Sequence, residues 1–572
     1  MLNRKRFKYG IIVDSLSISK WQMMCIDNLC KKQAELTLVL VENSVKKTEL
    51  TRSNVLFHVT ELCFASSLTR KTSLKQLLNT QSNCDVRLVQ SEGEEGAFIY
   101  SSEDLRFIDK HNLDFIIRFT NTNLLGGILT LPRFGVWTYQ FGDISKYHGA
   151  LKGFWEVYNN DAVTNVSLLK LGYPAQTVVV LKKGVFSTIT TSYFKNRNQI
   201  LSEVIDWAAQ VCISIKANTF STTSEIIRGK SIEKRIPTNK EYLLYTANIF
   251  KNHAIKLFDR LFRYEYWNVG ISNKPIESFI NQSEADINWL FEKKDLYYAD
   301  PFAYQDGEEC YLMVEELDER VVSGYLTRFT LNCGELSSVE KSILKIPSHM
   351  SYPFILEEGG ETYCIPETSE EREVAIYKLD KQTGDWRKVK VLLQGFPAID
   401  STIIKHDGKW WLFCTNADHG ALRDLYIFYS DDLFGSWAPH LLNPVKQDVR
   451  SSRPAGTIFE KDDVLYRPAQ DCSLTYGGRI GLNRINVLTT TDYDEEVYTY
   501  INPKSGSLYS DGTHTISSVG NVTLFDGKRV DYSFSNVVKK IFMIRHKLKR
   551  CYSDVLCKLS LKNHVQAHKK VS

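Results

Sequence analysis

The sequence predicts two unlike halves: a doubly wound α/β domain followed by an all-β, five-bladed propeller. Three observations carry that expectation. Residues 1–217 of the 572 alternate short apolar runs with amphipathic stretches, the pattern of a mostly parallel sheet with helices on both faces. The second half repeats a strand, a tight turn and a second strand five times, with only short strands between, as propeller blades do. Aromatic residues make up 12% of the chain, with 29 Tyr, 29 Phe and 10 Trp, a content suited to sheet surfaces and sugar-facing sites. The predicted organisation is an α/β domain at 1–217, a linker and connecting helix at 218–265, the propeller at 266–532 and a basic tail at 533–572.

In the first half, Tyr9–Asp14 is a short apolar strand ending in an acid. Ile18–Lys32 has helical spacing of Trp21, Met24, Cys25 and Leu29. Leu36–Val41 reads as a buried strand, and Cys84–Val89, Leu113–Phe119, Gly135–Gln140, Val163–Leu171 and Thr177–Lys182 as further strands. Leu201–Ala217 reads as one closing amphipathic helix. Ligands of such sheets sit outside the carboxyl ends of the strands. No Gly-x-Gly-x-x-Gly follows the first strand, so the dinucleotide fingerprint is absent.

The stretch Leu131-Pro-Arg-Phe-Gly-Val-Trp-Thr-Tyr-Gln-Phe-Gly-Asp-Ile-Ser-Lys-Tyr-His-Gly149 resembles the hallmark of the formyltransferases, in order and spacing more than identity, over residues 5–215. The resemblance implies formyl-tetrahydrofolate as cofactor and a catalytic Asn, His and Asp. Thr138, Gln140 and Gln176 stand at those positions. Glutamine does not titrate, so neither Gln140 nor Gln176 shuttles a proton, although Thr138 and Gln140 retain the capacity to donate hydrogen bonds to an oxyanion. His148 either substitutes for the lost histidine or replaces a structural arginine. The expectation is a degenerate formyltransferase site.

A Ser/Thr/Lys-rich stretch at 218–240 reads as linker. Tyr242–Tyr264 places Leu243, Leu244, Ile249, Phe250, Ile255, Phe258, Leu261 and Phe262 near the 3.6 period, predicting a helix that packs between the domains or lies on a membrane surface. The five repeats follow, with turns at Asp306, Gly359, Asp407, Asp462 and Asp526, each of Asp-Gly type. Tyr325–Leu331, Val374–Leu379, Leu425–Ser430 and Ile480–Val487 supply third strands, and Trp267–Ile271 closes the ring with the last blade.

The motifs Trp267-Asn-Val-Gly-Ile, Ala299-Asp-Pro-Phe, His349-Met-Ser-Tyr-Pro-Phe, Ile365-Pro-Glu, Trp410-Trp-Leu-Phe, Ser430-Asp-Asp-Leu-Phe-Gly-Ser-Trp, Arg453-Pro-Ala-Gly and Tyr466-Arg-Pro-Ala-Gln-Asp make this half similar to two groups. One is the N-terminal domain of the glucosamine inositolphosphorylceramide transferases, and the other is the family-43 glycosidase propeller. The glycosidase resemblance implies a base Asp, which Asp300 fits, and a tuning Asp, which Asp400 fits. Arg453 stands where the acid Glu belongs, and Glu367 occupies a different place in the ring. Without a proton donor, hydrolysis by two carboxylates fails. The expected ligand is a sugar or nucleotide sugar, held by Asp300, His349, Glu367, Asp400, Arg453, Arg467, Gln470 and Asp471. The alternative for Arg453, Arg467 and Asp471 is a structural ion-pair network.

Charge and cysteine content narrow the classes. The net charge is +4, but residues 539–570 hold ten Lys/Arg against Asp554 alone, leaving −5 for the rest. That body lacks the footprint of a nucleic-acid binder. The 12 Cys include no C-x-x-C, so no zinc or other metal site is expected, and a reducing cytoplasm is the default compartment. The basic tail either frays in solvent or lies on the inner face of an anionic membrane. Together these predict a carbohydrate-active protein of surface-glycan assembly, a transferase acting on an activated sugar. The alternatives are a non-catalytic glycan-binding scaffold and an amino-sugar N-formyltransferase with a rewired site.

Overall fold

The computed structural model describes residues 6–545 except 44–50, 65, 81–83, 94–97, 144, 149–150, 173–176, 220–222, 227–231, 234–235, 283, 285, 291–295, 319–322, 333–334, 342, 345 and 347. The chain divides into two compact units, Met1–His253 and Ala254–Ser572.

The first unit is built on an eight-stranded mixed sheet. Five strands run parallel, in the spatial order Asp85–Val89, Ala34–Glu42, Phe7–Val13, Phe115–Arg118 and Val136–Phe141. Val163–Leu171, Thr177–Ser187 and Thr223–Ile226 extend it antiparallel. The central strand is apolar throughout its inner stretch because both its faces are covered. Ile11 and Val13 enter one core with Trp21, Cys25, Leu29 and Ala208, while Ile12 enters another with Ile108 and Leu113. Aromatic rings stack across neighbouring strands, Tyr9 on Phe115 at 5.4 Å and Phe115 on Trp137 at 4.1 Å. The helix Lys20–Lys32 opens on a capping box in which Ser19 N–H donates to Gln22 Oε1 at 2.8 Å. The single helix expected over Leu201–Ala217 is two, Tyr193–Glu203 and Trp207–Ala217. Asp206 at the break accepts from Asn28 and Lys32, both at 2.8 Å, which holds the bend against the first helix.

The second unit is a five-bladed propeller. Four blades follow in chain order, led by the inner strands Leu296–Asp306, Ser351–Glu358, Ala398–His406 and Phe459–Lys461. The fifth combines both ends of the unit: Ile516–Val519 pairs with Val522–Tyr532, which pairs with Arg263–Ser272, which in turn pairs with Asn288–Trp289. In this blade the expected turn at Asp526-Gly527 is corrected, because Val522–Tyr532 runs straight through it and the reversal falls at Gly520. Gly527 serves another purpose: a side chain there would strike the Trp289 ring. The connecting helix is Asn239–Phe262, and Arg263 and Tyr264 already belong to the closing strand.

Candidate functional site

One irregularity recurs in three blades. Asp300, Tyr352 and Asp400 all have positive φ, at 51°, 45° and 52°, a conformation uncommon outside glycine. Each lies in a one-residue bulge of its inner strand: the pairing shifts between Ala299 and Phe302, Ser351 and Phe354, and Ile399 and Thr402. Bulges re-aim side chains, and strained backbone collects at functional sites. Here they turn three side chains toward neighbouring blades. In the fourth blade Gly456 does the corresponding work; its φ is 118°, and any Cβ there would overlap the Ile516 carbonyl. Its N–H donates to Tyr352 Oη at 2.6 Å, and Tyr352 also bonds Thr402 Oγ1 at 2.8 Å.

A second repeat faces the first. The seventh residue of each blade's second strand is Glu315, Glu367, Thr415 and Gln470, in the strands Glu309–Asp318, Glu361–Glu367, Lys409–Asn416 and Val464–Asp471. The two repeats meet in one buried polar cluster. Asp300 accepts from Thr515 Oγ1 at 2.7 Å and from Tyr352 N–H at 3.2 Å. Asp400 is clamped by Arg453, Nε to Oδ2 at 2.6 Å and Nη2 to Oδ1 at 3.3 Å, and accepts from Gln470 Nε2 at 2.9 Å. Glu367 accepts from Asp400 N–H at 3.3 Å and from Ser369 Oγ at 2.8 Å. The Arg453 guanidinium lies 5.1 Å from the Tyr476 ring centre.

So many carboxylates out of water cannot all stay charged beside one guanidinium. Burial, then the negative charge of Asp400, pushes Glu367 up to about 8. Burial pushes Asp300 to about 6, with His514 pulling the other way. Burial and the charges of Asp300, Glu367 and Asp400 hold Glu315 well above the carboxylate range. His349 Nδ1 accepts from Gly324 N–H at 3.0 Å, which leaves its ring proton on Nε2, 3.5 Å from Glu315.

His514 is the second histidine of the cluster. Its Nδ1 lies 2.5 Å from Asp526 Oδ2 and 3.7 Å from Asp300 Oδ1, and its ring stacks on Trp267 at 4.0 Å. Burial disfavours the charged ring, but Asp526 and Asp300 outweigh it and raise its pKa. Asp300, His514 and Asp526 bring ligand-type atoms within 4.8 Å of one another. When its ring is protonated, His514 forms a charge-assisted hydrogen bond with Asp526.

Of the residues singled out from sequence, Asp300, His349, Glu367, Asp400, Arg453 and Gln470 meet in this cluster or at its edge. Arg467 and Asp471 do not. Side chains alternate across a strand, so on Val464–Asp471 these two take the face opposite Gln470. Arg467 is consumed by Glu495, at 2.8 and 2.6 Å, and by the Ser451 and Ser452 carbonyls, while Asp471 pairs with Arg479 at 2.9 Å. Glu315, Tyr352, Tyr476, His514 and Asp526 escaped the sequence reading. The phase of the repeat could have found Glu315.

The crevice of the first unit is a different environment. Thr138 and Gln140 lie on Val136–Phe141 at its carboxyl end. Thr138 is buried with Oγ1 3.5 Å from the Arg118 carbonyl, and Gln140 Nε2 donates to the Tyr147 carbonyl at 3.3 Å. His148 lies in the short strand Tyr147–His148, which pairs with Ile232–Glu233. Gln176 lies outside the described residues. Trp21 packs edge-on against Phe119, Tyr139 and Phe141 beside them. Two titratable groups here were not anticipated: burial lowers Lys152 to about 8, and burial raises Glu156, whose Oε1 has no hydrogen-bond partner among the described residues, to about 7.

Residues 280–512 match the family described as the N-terminal region of glucosamine inositolphosphorylceramide transferase 1. A protein of that name from Oryza sativa subsp. japonica is 32% identical over 249 residues, 41% of this chain and 33% of that protein. Its namesake from Arabidopsis thaliana is 34% identical over 214 residues, 35% of this chain and 27% of that protein. The chain therefore spans about a third of the length of the curated relatives it matches. Among solved structures, a family 117 glycoside hydrolase from Zobellia galactanivorans, Zg3597, superposes with a TM-score of 0.31 at 13% identity, covering 47% of this chain and 92% of its own. An exo-β-1,3-galactanase from Phanerochaete chrysosporium gives 0.28 at 14%, covering 38% and 55%. The family match contains Asp300, Glu315, Glu367, Asp400 and Arg453; His514 and Asp526 lie just past its end.

Proposed function

We propose that the propeller holds the sugar part of an activated sugar, and that the chain serves sugar transfer in glycoconjugate assembly. The observation that carries this reading is the buried cluster of Asp300, Glu315, Glu367 and Asp400 around the single guanidinium of Arg453. Carboxylates beside the Arg453 guanidinium and the His514 ring, and ringed by Trp267, Tyr352 and Tyr476, suit a polyhydroxylated ligand, whose hydroxyls both donate and accept. The relatives' common name as transferases points the same way. Arg453 stands at the place of a hydrolase acid and is locked to Asp400, which argues against simple hydrolysis.

The test is titration calorimetry of the full chain with nucleotide-activated N-acetylhexosamines and free hexosamines. Asp400→Asn is expected to raise Kd at least about ten-fold, a loss of about 1.4 kcal/mol. Unchanged affinity in the variant, or no heat with any of these sugars, would remove the reading.

A second reading has its own support. Glu367, at about 8, keeps its proton at neutral pH, while Asp300, at about 6, gives its proton up. That separation is what an acid and a base of glycosyl chemistry require. Turnover of a nucleotide sugar that disappears in Glu367→Gln while binding persists would place the chemistry in the propeller. Persistence of turnover would leave the propeller as the binding partner of chemistry elsewhere.

A further inference from the structure

The strands that close the ring are flanked by two helices whose apolar side chains remain in water. One is the end of Asn239–Phe262; the other spans 534–545. They are fastened to each other. Asn536 Nδ2 donates to the Phe262 carbonyl at 2.9 Å, Lys540 Nζ to the Arg260 carbonyl at 2.9 Å, and Tyr532 Oη to Asp259 at 3.1 Å. The Phe258 and Tyr532 rings stack at 5.8 Å. The pair is thus a built element. Between the helices lies a groove of about 680 Å³ lined by Leu257, Leu261, Val537, Ile541, Met543 and Ile544. Around it Phe534, Val538 and Phe542 are also exposed, and exposure runs from 40% at Leu261 to 75% at Phe534.

An apolar face of this extent on a fixed element marks an interaction surface. Its charge decides the partner. Lys256, Arg260, Lys539, Lys540 and Arg545 belong to the same two helices, against Asp259 and no other acid in 254–262 and 534–545. The sequence continuing at 546–572 adds seven Lys/Arg against one acid. A second copy seated on this face would bring cations against cations. An anionic bilayer brings the opposite charge and an apolar interior together, the combination that interfacial helices use.

We propose that this helix pair is a docking surface for the anionic face of a lipid bilayer, with Leu257, Leu261, Ile541 and Ile544 entering the acyl boundary and the surrounding lysines and arginines meeting the headgroups. No helix of the described residues is long and apolar enough to cross a membrane, so the contact is interfacial.

Co-sedimentation of the full chain with vesicles tests it, using phosphatidylcholine alone against a 70:30 mixture with phosphatidylserine. Binding to the mixture and not to phosphatidylcholine is expected, weakening as salt is raised. Leu257→Glu with Ile541→Glu is expected to abolish it while leaving the melting temperature of the propeller in place. Lys547→Gln, Lys549→Gln and Arg550→Gln lie beyond the described fold and test the charge independently. At about five-fold per cation near the surface, the triple variant loses about 100-fold in affinity. Absence of binding to the mixture, or binding indifferent to both sets of variants, overturns the proposal. So does a dimer in sedimentation velocity that Leu257→Glu dissociates.

Discussion

The propeller cluster and the crevice of the α/β unit meet the same problem, polar groups out of water, and answer it oppositely. In the propeller, carboxylates are retained and buried together, and a bidentate guanidinium with a network of donors keeps them there. In the crevice, positions where the formyltransferase resemblance calls for an amide, an imidazole and a carboxylate carry Thr138, Gln140 and Gln176, and the described two are engaged with backbone carbonyls beside a wall of aromatic rings. Burying charge is expensive and is kept where it has a use. The contrast is one more support for the proposal that places a sugar site in the propeller.

The sharpest way to break that contrast is to remove the cation. Arg453→Ala leaves Asp400 buried without its partner and should cost about 3–5 kcal/mol, read as a large fall in the propeller's unfolding transition by calorimetry. Gln140→Ala, which removes only a 3.3 Å contact and a 3.5 Å contact to carbonyls, should cost about 1 kcal/mol. Equal losses would erase the distinction.

A titration sharpens it next. The folded pKa of Glu367, about 8, lies above the ordinary carboxylate value of 4.5. Its contribution to stability is therefore full below about pH 4.5 and is lost as pH rises through about 8. Glu367→Gln carries no such dependence, so its melting temperature should gain on the native protein's between pH 5 and 9. Asp300, raised to about 6, acts in the same direction over a lower window. A difference that is flat with pH would show the cluster to be wetter than its burial implies.

The smallest effect expected is none at all. Formyl-tetrahydrofolate at about 100 times a functional dissociation constant would stabilise its site by about 2.7 kcal/mol; the α/β unit is expected to show no shift. A shift of a few degrees would reinstate the crevice, and Lys152 and Glu156 would be the first residues to mutate.

Much of this contrast was readable beforehand. The order of the motifs showed the blades, and Asp300 and Asp400 stand at matching points of the repeat. Glu315 was obscured because its neighbour Glu316 is also acidic, and the phase of the repeat, in which Ala299 pairs with Glu315 as Ser351 pairs with Glu367, tells them apart. Asp526 was misread for a different reason. Asp-Gly usually announces a turn, but Gly527 answers to the bulk of Trp289, from a strand over two hundred residues away in sequence. Arg467 and Asp471 were drawn in by proximity to Gln470 in sequence, where strand parity sends them to the other face. The break at Asp206 depends on Asn28 and Lys32, contacts that no local pattern encodes.

The ring closes by pairing Trp267 with Lys528, and Asp300 takes two of its partners, Thr515 and Asp526, from that last blade. On a ribosome adding about 5–20 residues each second, the wait between the first of these strands and the last is roughly 13 to 50 s. Four blades can form in that interval while the edge of Arg263–Ser272 stays open. During synthesis the nascent propeller therefore exposes an unpaired strand, and the cluster around Asp300 is complete only when the final blade is made.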